Sequence, residues 1–398
     1  MSAAAILATG WFCPADPPSL TITHRVSDEH IIQILRSGRH RVGQPRGHGP
    51  HDPGRALTDI PDEHTVLYYS QRASAGLIIS EGIPISREGC GYLFNPGLYT
   101  DQQAQAWRRV TEAVHAKDGR IFAQLWHVGR VSHVSIQPGN GAPVSSVASV
   151  AANSNAYAWV EKDKPGPVQA SASRALSEAE LHRVTADFVS AARRAIDAGF
   201  DGIELHGANG YLFEQFLNGA LNDRQDAYGG SIANRQRFLL ETLDALAAEI
   251  GSARVGVRLS PFGRMFDMHP YAEETDTWLS LASALNDRGL AYVHLSDQLT
   301  IGAEAIPEGF AIRFRQAYQG TLIAAGGFDR ELAEAALQAG DLDLIAFGRP
   351  FIANPDLVER MRNGWPIAEG DRSTFYGIDG NPTKGYTDYP AYVATVAN

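Results

Sequence analysis

The stretch Gly202-Ile-Glu-Leu-His-Gly-Ala-Asn-Gly-Tyr211 joins a short apolar run to a polar turn. The run has the composition of a buried strand, and His206 closes it. Asn209 and Tyr211 follow within a few positions, so an imidazole, an amide and a phenol project from one turn. Polar groups at the end of an apolar strand are typical of a parallel α/β sheet, whose functional residues collect at the carboxyl ends of the strands.

Similar apolar runs, rich in β-branched residues, alternate with helical patterns from Gly76 onward. The segments Ser177–Ala198, which opens with a serine cap, and Asn234–Ile250 have apolar positions three and four apart. This alternation predicts a parallel sheet, and its length favours a closed (β/α)8 barrel over a doubly wound sheet. The predicted strands are Gly76–Gly82, Ile121–His127, Gly202–Ala208, Val255–Pro261, Ala291–Asp297, Thr321–Gly327 and Leu342–Arg349.

The remaining barrel strand should lie before Asp62, where the pattern is weakest. Residues 1–55 contain no lysine and no convincing strand, and the cluster of Arg, His, Gly and Pro from Gly38 to Arg55 indicates a flexible basic arm. We therefore expect residues 56–398 to form the barrel, with an aberrant amino-terminal arm, residues 1–55, where the first strand should be. The long segment Ser135–Arg174 is expected to be an elaborated loop with a short hairpin over the barrel mouth.

Composition narrows the class of partner. Lys and Arg total 34 against 45 Asp and Glu, a net charge of −11, which disfavours nucleic acid or an anionic membrane surface. The two cysteines, Cys13 and Cys90, cannot form a disulfide framework or a multi-cysteine metal site. Because no basic leader and no apolar stretch of roughly 18 residues is present, we expect a cytoplasmic protein with a small-molecule substrate. The sequence leaves open whether it is a monomer or a homo-oligomer.

The turn after the fourth predicted strand suits the polarisation of a carbonyl group. His206 and Asn209 can donate hydrogen bonds to one oxygen and stabilise the charge that develops on it. Tyr211, a phenol with an ordinary pKa of about 10, can supply a proton. A strand-end histidine is otherwise often structural. A zinc site formed by His127, His133 and His206 is disfavoured because no carboxylate-backed ligand spacing accompanies them, and no metal is expected.

Two further motifs fall at the ends of the last predicted strands. Gly326-Gly327 and Gly348-Arg349 can bring backbone N–H groups and a guanidinium onto a phosphate, although either motif alone could be an ordinary turn. Gln124 can both donate to and accept from a flat heterocycle. Arg258 can neutralise the charge of a reduced flavin or, equally, pair with a neighbouring carboxylate.

Six segments together resemble the Old Yellow Enzyme family of FMN-dependent ene-reductases. They are Tyr69–Glu81, Gln124–His133, His206–Tyr211, Asn222–Arg235, Ile345–Leu357 and Gly385–Pro390, and the resemblance extends from about Pro61 to Pro390. It implies a (β/α)8 barrel that binds FMN non-covalently, is reduced by NADPH or NADH, and passes hydride to an activated alkene. Nitroester or nitroaromatic reduction at the same flavin is an alternative. A relic of the fold that has lost its cofactor is another.

The resemblance also implies roles for individual residues. His206 and Asn209 hold the carbonyl or nitro oxygen of the substrate, and Tyr211 donates the proton. Contacts to the flavin ring come from Gln124, Arg258 and the backbone of Gly82, and contacts to its phosphate from Gly326, Gly327, Gly348 and Arg349. The expected pocket-lining aromatic residues are Tyr92, Trp126 and Tyr376, with core packing an alternative above all for Trp126. The Asn222–Arg235 segment is expected to be structural.

The chain departs from the family at its first strand. The family pattern there resembles Asn-Arg-x-x-Met-Ala-Pro-x-Thr-Arg, whereas this chain has Gln44-Pro-Arg-Gly-His-Gly-Pro-His-Asp-Pro-Gly54. Codons permitted for these residues, read one nucleotide downstream, can encode Asn-Arg-Val-Val-Met-Ala-Pro-Met-Thr-Arg-Ala. Our hypothesis is that part of residues 1–55 is an out-of-frame translation of the native strand. The alternative is a divergent arm that supplies a strand through different residues.

Overall fold

The computed structural model describes the backbone of residues 31–34 and residues 59–162, 164–297, 306–374 and 383–393. In chain order the strands are β1 (Ile31–Ile34), β2 (Leu77–Pro84), β3 (Ile121–Trp126), β4 (Val144–Ser145), β5 (Asn155–Glu161), β6 (Lys164–Gln169), β7 (Arg174–Ala175), β8 (Gly202–His206), β9 (Val255–Leu259), β10 (Tyr292–Ser296), β11 (Leu322–Ala325) and β12 (Leu344–Phe347). The helices are α1 (Glu63–Gln71), α2 (Asp101–His115), α3 (Glu178–Asp197), α4 (Leu212–Leu217), α5 (Ile232–Ile250), α6 (Glu274–Asn286), α7 (Phe310–Ala317), α8 (Arg330–Ala339), α9 (Arg349–Ala353) and α10 (Leu357–Asn363).

Eight of these strands form a closed parallel barrel in the order β1-β12-β11-β10-β9-β8-β3-β2. Strands β3, β8, β9 and β10 are buried along their whole length, because one face points into the barrel and the other packs against helices. All seven predicted strands are present, and the (β/α)8 barrel is confirmed. The carboxyl ends of the parallel strands therefore meet at one mouth, where a functional site is expected.

The long helices begin where the sequence predicts. Ser177 caps α3 by accepting a hydrogen bond from the backbone N–H of Glu180, whose carboxylate in turn accepts from the Ser177 N–H. This reciprocal pair satisfies two of the N–H groups that a helix start leaves without partners. The buried residues of α3, among them Val184, Phe188 and Ala192, lie on one face and cover the barrel wall.

The sequence shows no convincing strand before residue 56, but the structure has one there, formed by residues other than those of the family motif, as the alternative of a divergent arm expects. Strand β1, Ile31–Ile34, pairs in parallel with β12 on one side and with β2 on the other, and so closes the barrel. The strand is only four residues long, below the length at which an apolar run is distinct from its charged surroundings. Residues 35–58, including Gln44–Gly54, lie outside the described part of the chain.

The predicted loop Ser135–Arg174 does contain a hairpin, formed by β5 and β6 in antiparallel register. The backbone N–H of Leu93 donates to the carbonyl of Tyr157 at 2.8 Å, which ties the hairpin to the loop that follows β2. Phe94 packs edge-on against both Tyr157 and Trp159. The hairpin therefore covers the same side of the barrel mouth as Tyr92.

The Asn222–Arg235 segment is structural, as predicted. The side-chain amide of Asn222 donates to the carbonyls of Phe216 and Tyr228 at 2.7 and 2.8 Å. Arg235 donates to the carbonyl of Leu217 and forms an ion pair with Glu273. These contacts fix the loop between α4 and α5 behind the barrel mouth. In the described parts of the chain, no helix is both long enough and apolar enough to cross a membrane.

Candidate active site

The predicted oxygen-binding residues lie together at the mouth of the barrel. His206 ends β8, and Arg258 of β9 is its partner in the parallel register. Asn209 and Tyr211 follow in the turn between β8 and α4. Arg258 also lines the cavity next to Gly326 and Gly348. The two predicted clusters therefore share one end of the barrel and meet at Arg258.

His206 is held in its neutral form. The residue is 2% exposed, and burial, aided by the charge of Arg258, lowers its pKa to about 3. Its Nδ1 accepts a hydrogen bond from the backbone N–H of Ala208 at 3.3 Å, which places the ring proton on Nε2. A neutral imidazole with its proton on Nε2 is a hydrogen-bond donor to an oxygen at the barrel mouth.

Asn209 sits at a backbone position that few side chains tolerate. Its φ is +57°, in the left-handed region, where asparagine is one of the few favoured residues besides glycine. The N–H of Asn209 donates to Oγ of Ser260 at 2.7 Å, and this hydroxyl donates to the carboxylate of Glu214 at 2.7 Å. The same carboxylate accepts the N–H of Gly210 at 2.8 Å. Ser260 and Glu214 thus fix the turn that carries Asn209.

Glu214 is buried, and burial raises its pKa to about 7 despite the hydrogen bonds from Gly210 and Ser260. The sequence motifs do not single out Glu214 or Ser260. Two weak signals are present: Ser260 directly follows the β9 strand, and Glu214 lies one helical turn after Gly210. Their roles come from side-chain hydrogen bonds to backbone groups, and the spacing of apolar residues along the sequence does not predict such bonds.

Tyr211 lies in a cluster of aromatic rings. Its hydroxyl is 2.9 Å from that of Tyr92, and its ring contacts those of Trp126, His206 and Phe266 at centroid distances of 5.0, 5.1 and 5.4 Å. Trp126 is 1% exposed, so its ring forms the packed wall of this cluster. The structure brings Tyr92 and Trp126 next to Tyr211. Tyr376 lies outside the described residues.

The predicted phosphate-binding residues line one cavity of about 660 Å³. Gly326 and Gly327 have φ values of +145° and +74°, and a Cβ on Gly326 would lie 2.5 Å from that of Asp297. Both positions therefore require glycine. The lining also includes Gly348, Arg349, Arg258, Ser296 and Arg372. Three carboxylates, Asp297, Asp329 and Glu369, line the same cavity, so the backbone groups of the glycines and the guanidinium groups are the part of the lining that suits the phosphate end of an FMN.

Gln124 and Gly82 lie side by side on the neighbouring strands β3 and β2. The amide Nε2 of Gln124 donates to the carboxylate of the buried Glu204 at 2.6 Å. A Cβ on Gly82 would lie 2.6 Å from the Trp126 ring, so this position is glycine because the indole packs against it. The carbonyl of Gly82 accepts a hydrogen bond from Asn95.

A parallel barrel whose mouth carries a neutral imidazole, an amide and a phenol beside a cavity lined by glycines and guanidinium groups is typical of barrel oxidoreductases that use a flat, phosphorylated cofactor. The comparison with known sequences agrees with this class. The sequence profile of the NADH:flavin oxidoreductase / NADH oxidase family matches residues 40–367. The chain therefore belongs to this family, the Old Yellow Enzyme family, and is an FMN-dependent oxidoreductase that uses NAD(P)H.

Individual relatives are similar over nearly the whole chain. The Arabidopsis thaliana protein 12-oxophytodienoate reductase 2 is 42% identical over 373 residues, which cover 92% of this chain and 96% of the relative. The structure of morphinone reductase in complex with tetrahydroNAD has a TM-score of 0.84 at 43% identity, with 93% and 95% of the two chains covered. An old yellow enzyme homologue from Zymomonas mobilis has a TM-score of 0.82 at 35% identity, covering 91% and 96%. The prediction of a flavin ene-reductase is confirmed at the level of the family.

Proposed function

We propose that this protein reduces the C=C bond of α,β-unsaturated aldehydes, ketones or nitroalkenes, and that His206, Asn209 and Tyr211 carry the substrate chemistry. The observation that supports this most directly is the shared end of the barrel: His206 is in register with Arg258, and Arg258 lines the phosphate-binding cavity. One small molecule above a bound cofactor can therefore reach the three side chains. The names of the relatives, 12-oxophytodienoate reductase and morphinone reductase, refer to carbonyl compounds and support a carbonyl substrate.

His206 and Asn209 bind and polarise the substrate oxygen. The Nε2–H of the neutral imidazole and the side-chain amide of Asn209 donate to this oxygen, and their hydrogen bonds strengthen as negative charge develops there. When bound beside these residues, FMN would supply the hydride, with NADPH or NADH as its reductant. Because Ser260 and Glu214 hold the turn in place, the two donors need no rearrangement during the reaction.

Tyr211 supplies the proton to the α-carbon. Its phenol lies at the same turn as the oxygen donors, and the rings of Trp126, His206 and Phe266 limit its orientation. The Tyr92 hydroxyl at 2.9 Å completes the hydrogen bonding of the phenol from the side of the barrel mouth. Close packing of this kind also excludes water from the proton.

The remaining predicted residues form the cofactor and substrate walls. We assign Gln124, Arg258 and Gly82 to the flavin ring. Gly326, Gly327, Gly348 and Arg349 hold the phosphate, which is supported by their common cavity. Tyr92, Trp126 and Tyr376 line the substrate pocket. Reduction of nitroesters or nitroaromatics would use the same residues, since a nitro oxygen can replace the carbonyl oxygen. We place the protein in the cytoplasm, where nicotinamide reductants are supplied and thiols stay reduced.

An anaerobic titration tests the proposed function. The purified protein is reduced with NADPH or NADH, and the flavin absorbance is followed as cyclohexenone, a nitroalkene, a nitroester or a nitroaromatic is added. We expect the flavin bands to bleach with the nicotinamide and to recover with cyclohexenone or the nitroalkene. A protein that takes up no FMN, or whose reduced flavin is reoxidised by none of these compounds, would overturn the proposal. Recovery with the nitroester or nitroaromatic alone would favour the second candidate.

A further inference from the structure

A polar layer crosses the interior of the barrel below His206. It consists of Gln124, Glu204, Arg258 and His294, which are 2%, 0%, 5% and 0% exposed. Each belongs to a different strand, and Glu204 precedes His206 by two positions on the same strand and face. The next layer down contains Phe122, Tyr292 and Ile323, and burial beside Glu204 raises the pKa of the Tyr292 phenol. Burying three ionisable groups, Glu204, Arg258 and His294, inside a barrel costs free energy, which suggests that they have a functional role.

Glu204 is the centre of this layer. One carboxylate oxygen accepts Nε2–H of Gln124 at 2.6 Å, and the other accepts Nδ1–H of His294 at 2.8 Å. Strands β8 and β10 are not neighbours, because β9 lies between them and places Gly256 beside Glu204. A Cβ on Gly256 would lie 2.4 Å from the Tyr292 ring. The glycine therefore leaves the space in which side chains of β8 and β10 meet inside the barrel.

The layer contains one negative and one positive charge. Burial raises the pKa of Glu204, but His294, Arg258 and Gln124 together outweigh burial and leave this pKa below its ordinary value. Burial lowers the pKa of His294 despite the neighbouring carboxylate. Glu204 is thus ionised and His294 neutral at pH 7, and the guanidinium of Arg258 balances the carboxylate.

Arg258 connects the layer to the cofactor cavity. Its Nη2 donates to Oγ of Ser296 at 3.0 Å, and both residues line the cavity. Glu204 lies behind Arg258, away from the cavity lining, and lowers the positive charge that reaches a bound ligand. One N–H of the Gln124 amide donates to Glu204, and this bond fixes the direction in which its other N–H and its Oε1 face a ligand.

We propose that Glu204 is a positioning residue that sets the reduction potential of the bound FMN by balancing the charge of Arg258, and that it strengthens FMN binding by fixing the amide of Gln124. The inference rests on the proposed placement of the flavin ring on Arg258 and Gln124. Oxidised FMN takes up two electrons and one proton to give a ring with one negative charge. The Arg258 cation stabilises that charge, and the Glu204 carboxylate opposes it, so Glu204 holds the potential down.

The test is the midpoint potential of the FMN-loaded protein, measured by reductive titration against a redox dye. Glu204→Gln keeps the shape but removes the charge: its amide oxygen can accept from one of the two partners, and its amide nitrogen can donate to Nδ1 of His294 in the other tautomer. We expect at least a tenfold shift of the equilibrium toward reduced FMN, about 30 mV for a two-electron couple. The matched control is Glu274→Gln, which removes a carboxylate that is 6% exposed and paired with Arg264 outside the barrel interior. Its potential should equal that of the wild type.

A second variant separates the effect of the charge from the effect of the geometry, and it tests the inference even if Glu204→Gln folds poorly. Glu204→Asp keeps the charge but is shorter, so the potential should stay close to the wild type while FMN binds more weakly, because Gln124 loses its partner. A potential that is unchanged in Glu204→Gln, or that rises equally in Glu204→Asp or Glu274→Gln, would overturn the inference. A wild-type protein that binds no FMN would instead overturn the proposed function itself.

Discussion

At the scale of the residue, the proposed chemistry depends on a histidine, His206, that does not take up a proton near neutral pH. The pKa of His206 is about 3, against about 6.5 for an exposed imidazole. Between these two pH values His206 binds a proton in the unfolded chain but not in the folded one. Its contribution to the free energy of unfolding therefore falls as the pH drops below about 6.5. Near neutral pH, however, His206 remains a neutral donor.

We therefore expect His206 to stay a neutral hydrogen-bond donor between about pH 5 and pH 8. The check is NMR of the imidazole: the His206 signals should not shift over this range in the folded protein. In denaturant the same signals should titrate near 6.5. Titration of His206 near 6.5 in the folded protein would show that the imidazolium, and not the neutral ring, binds the oxygen.

Tyr211 is expected to act in only one half of the catalytic cycle. Tyr211→Phe should slow reoxidation of the reduced flavin by an alkene by about a hundredfold or more, since it removes the proton donor. Flavin reduction by NADPH should be almost unchanged, because that step needs no proton from the phenol. Stopped-flow absorbance measures the two steps separately. Tyr228→Phe removes a phenol that bonds Glu241 away from the site and is the control. Loss of flavin reduction alone in Tyr211→Phe would show that the roles are misassigned.

At the scale of the element, the turn after β8 depends on Ser260. Ser260→Ala leaves the N–H of Asn209 and the carboxylate of Glu214 without the hydroxyl between them. We expect a loss of about 1–3 kcal/mol in the free energy of unfolding. Substrate binding should weaken while the FMN content stays the same, because Ser260 is not among the residues that line the phosphate cavity. Ser283→Ala, at an exposed helix position, is the control. Unchanged cyclohexenone binding in Ser260→Ala would contradict this role of the network.

The elements that the sequence predicts well are those whose pattern is local. Seven strands and the helices α3 and α5 are predicted from the spacing of apolar residues and from helix caps. A strand buried on both faces is an apolar run, and a helix buried on one face has apolar residues three and four positions apart. Strand β1 was missed because four residues carry too little pattern. The Glu204, Glu214 and Ser260 contacts join distant segments, so no local pattern contains them.

At the scale of the whole molecule, barrel closure creates the site. Strands β8 and β12 are four places apart in a ring of eight strands, so the oxygen-binding turn and the Gly348-Arg349 motif face each other across the mouth. The motifs predicted both clusters, whereas the ring order explains why a single cofactor can span them. The amino-terminal arm is the part that the sequence leaves most open.

We propose that part of residues 1–55 is read out of frame. A continuous, independently verified DNA read is the direct check: a single-base correction should restore the Met-Ala-Pro motif at positions 44–54. The corrected protein should also bind FMN more fully than the present chain, because the resemblance to the family implies that residues of this strand touch the flavin. Equal, stoichiometric FMN in both proteins, or a verified read without such a correction, would contradict the hypothesis and favour a divergent arm.

The absorbance of the FMN-loaded protein with an added phenol tests most directly whether the turn and the cofactor cavity form one site. A phenol oxygen bound by His206 and Asn209 above the flavin should give a long-wavelength charge-transfer band. The variant His206→Ala with Asn209→Ala should lose this band and keep its FMN. A band of equal intensity in the double variant, or no band in a wild-type protein that binds both FMN and phenol, would show that the two clusters do not share a ligand.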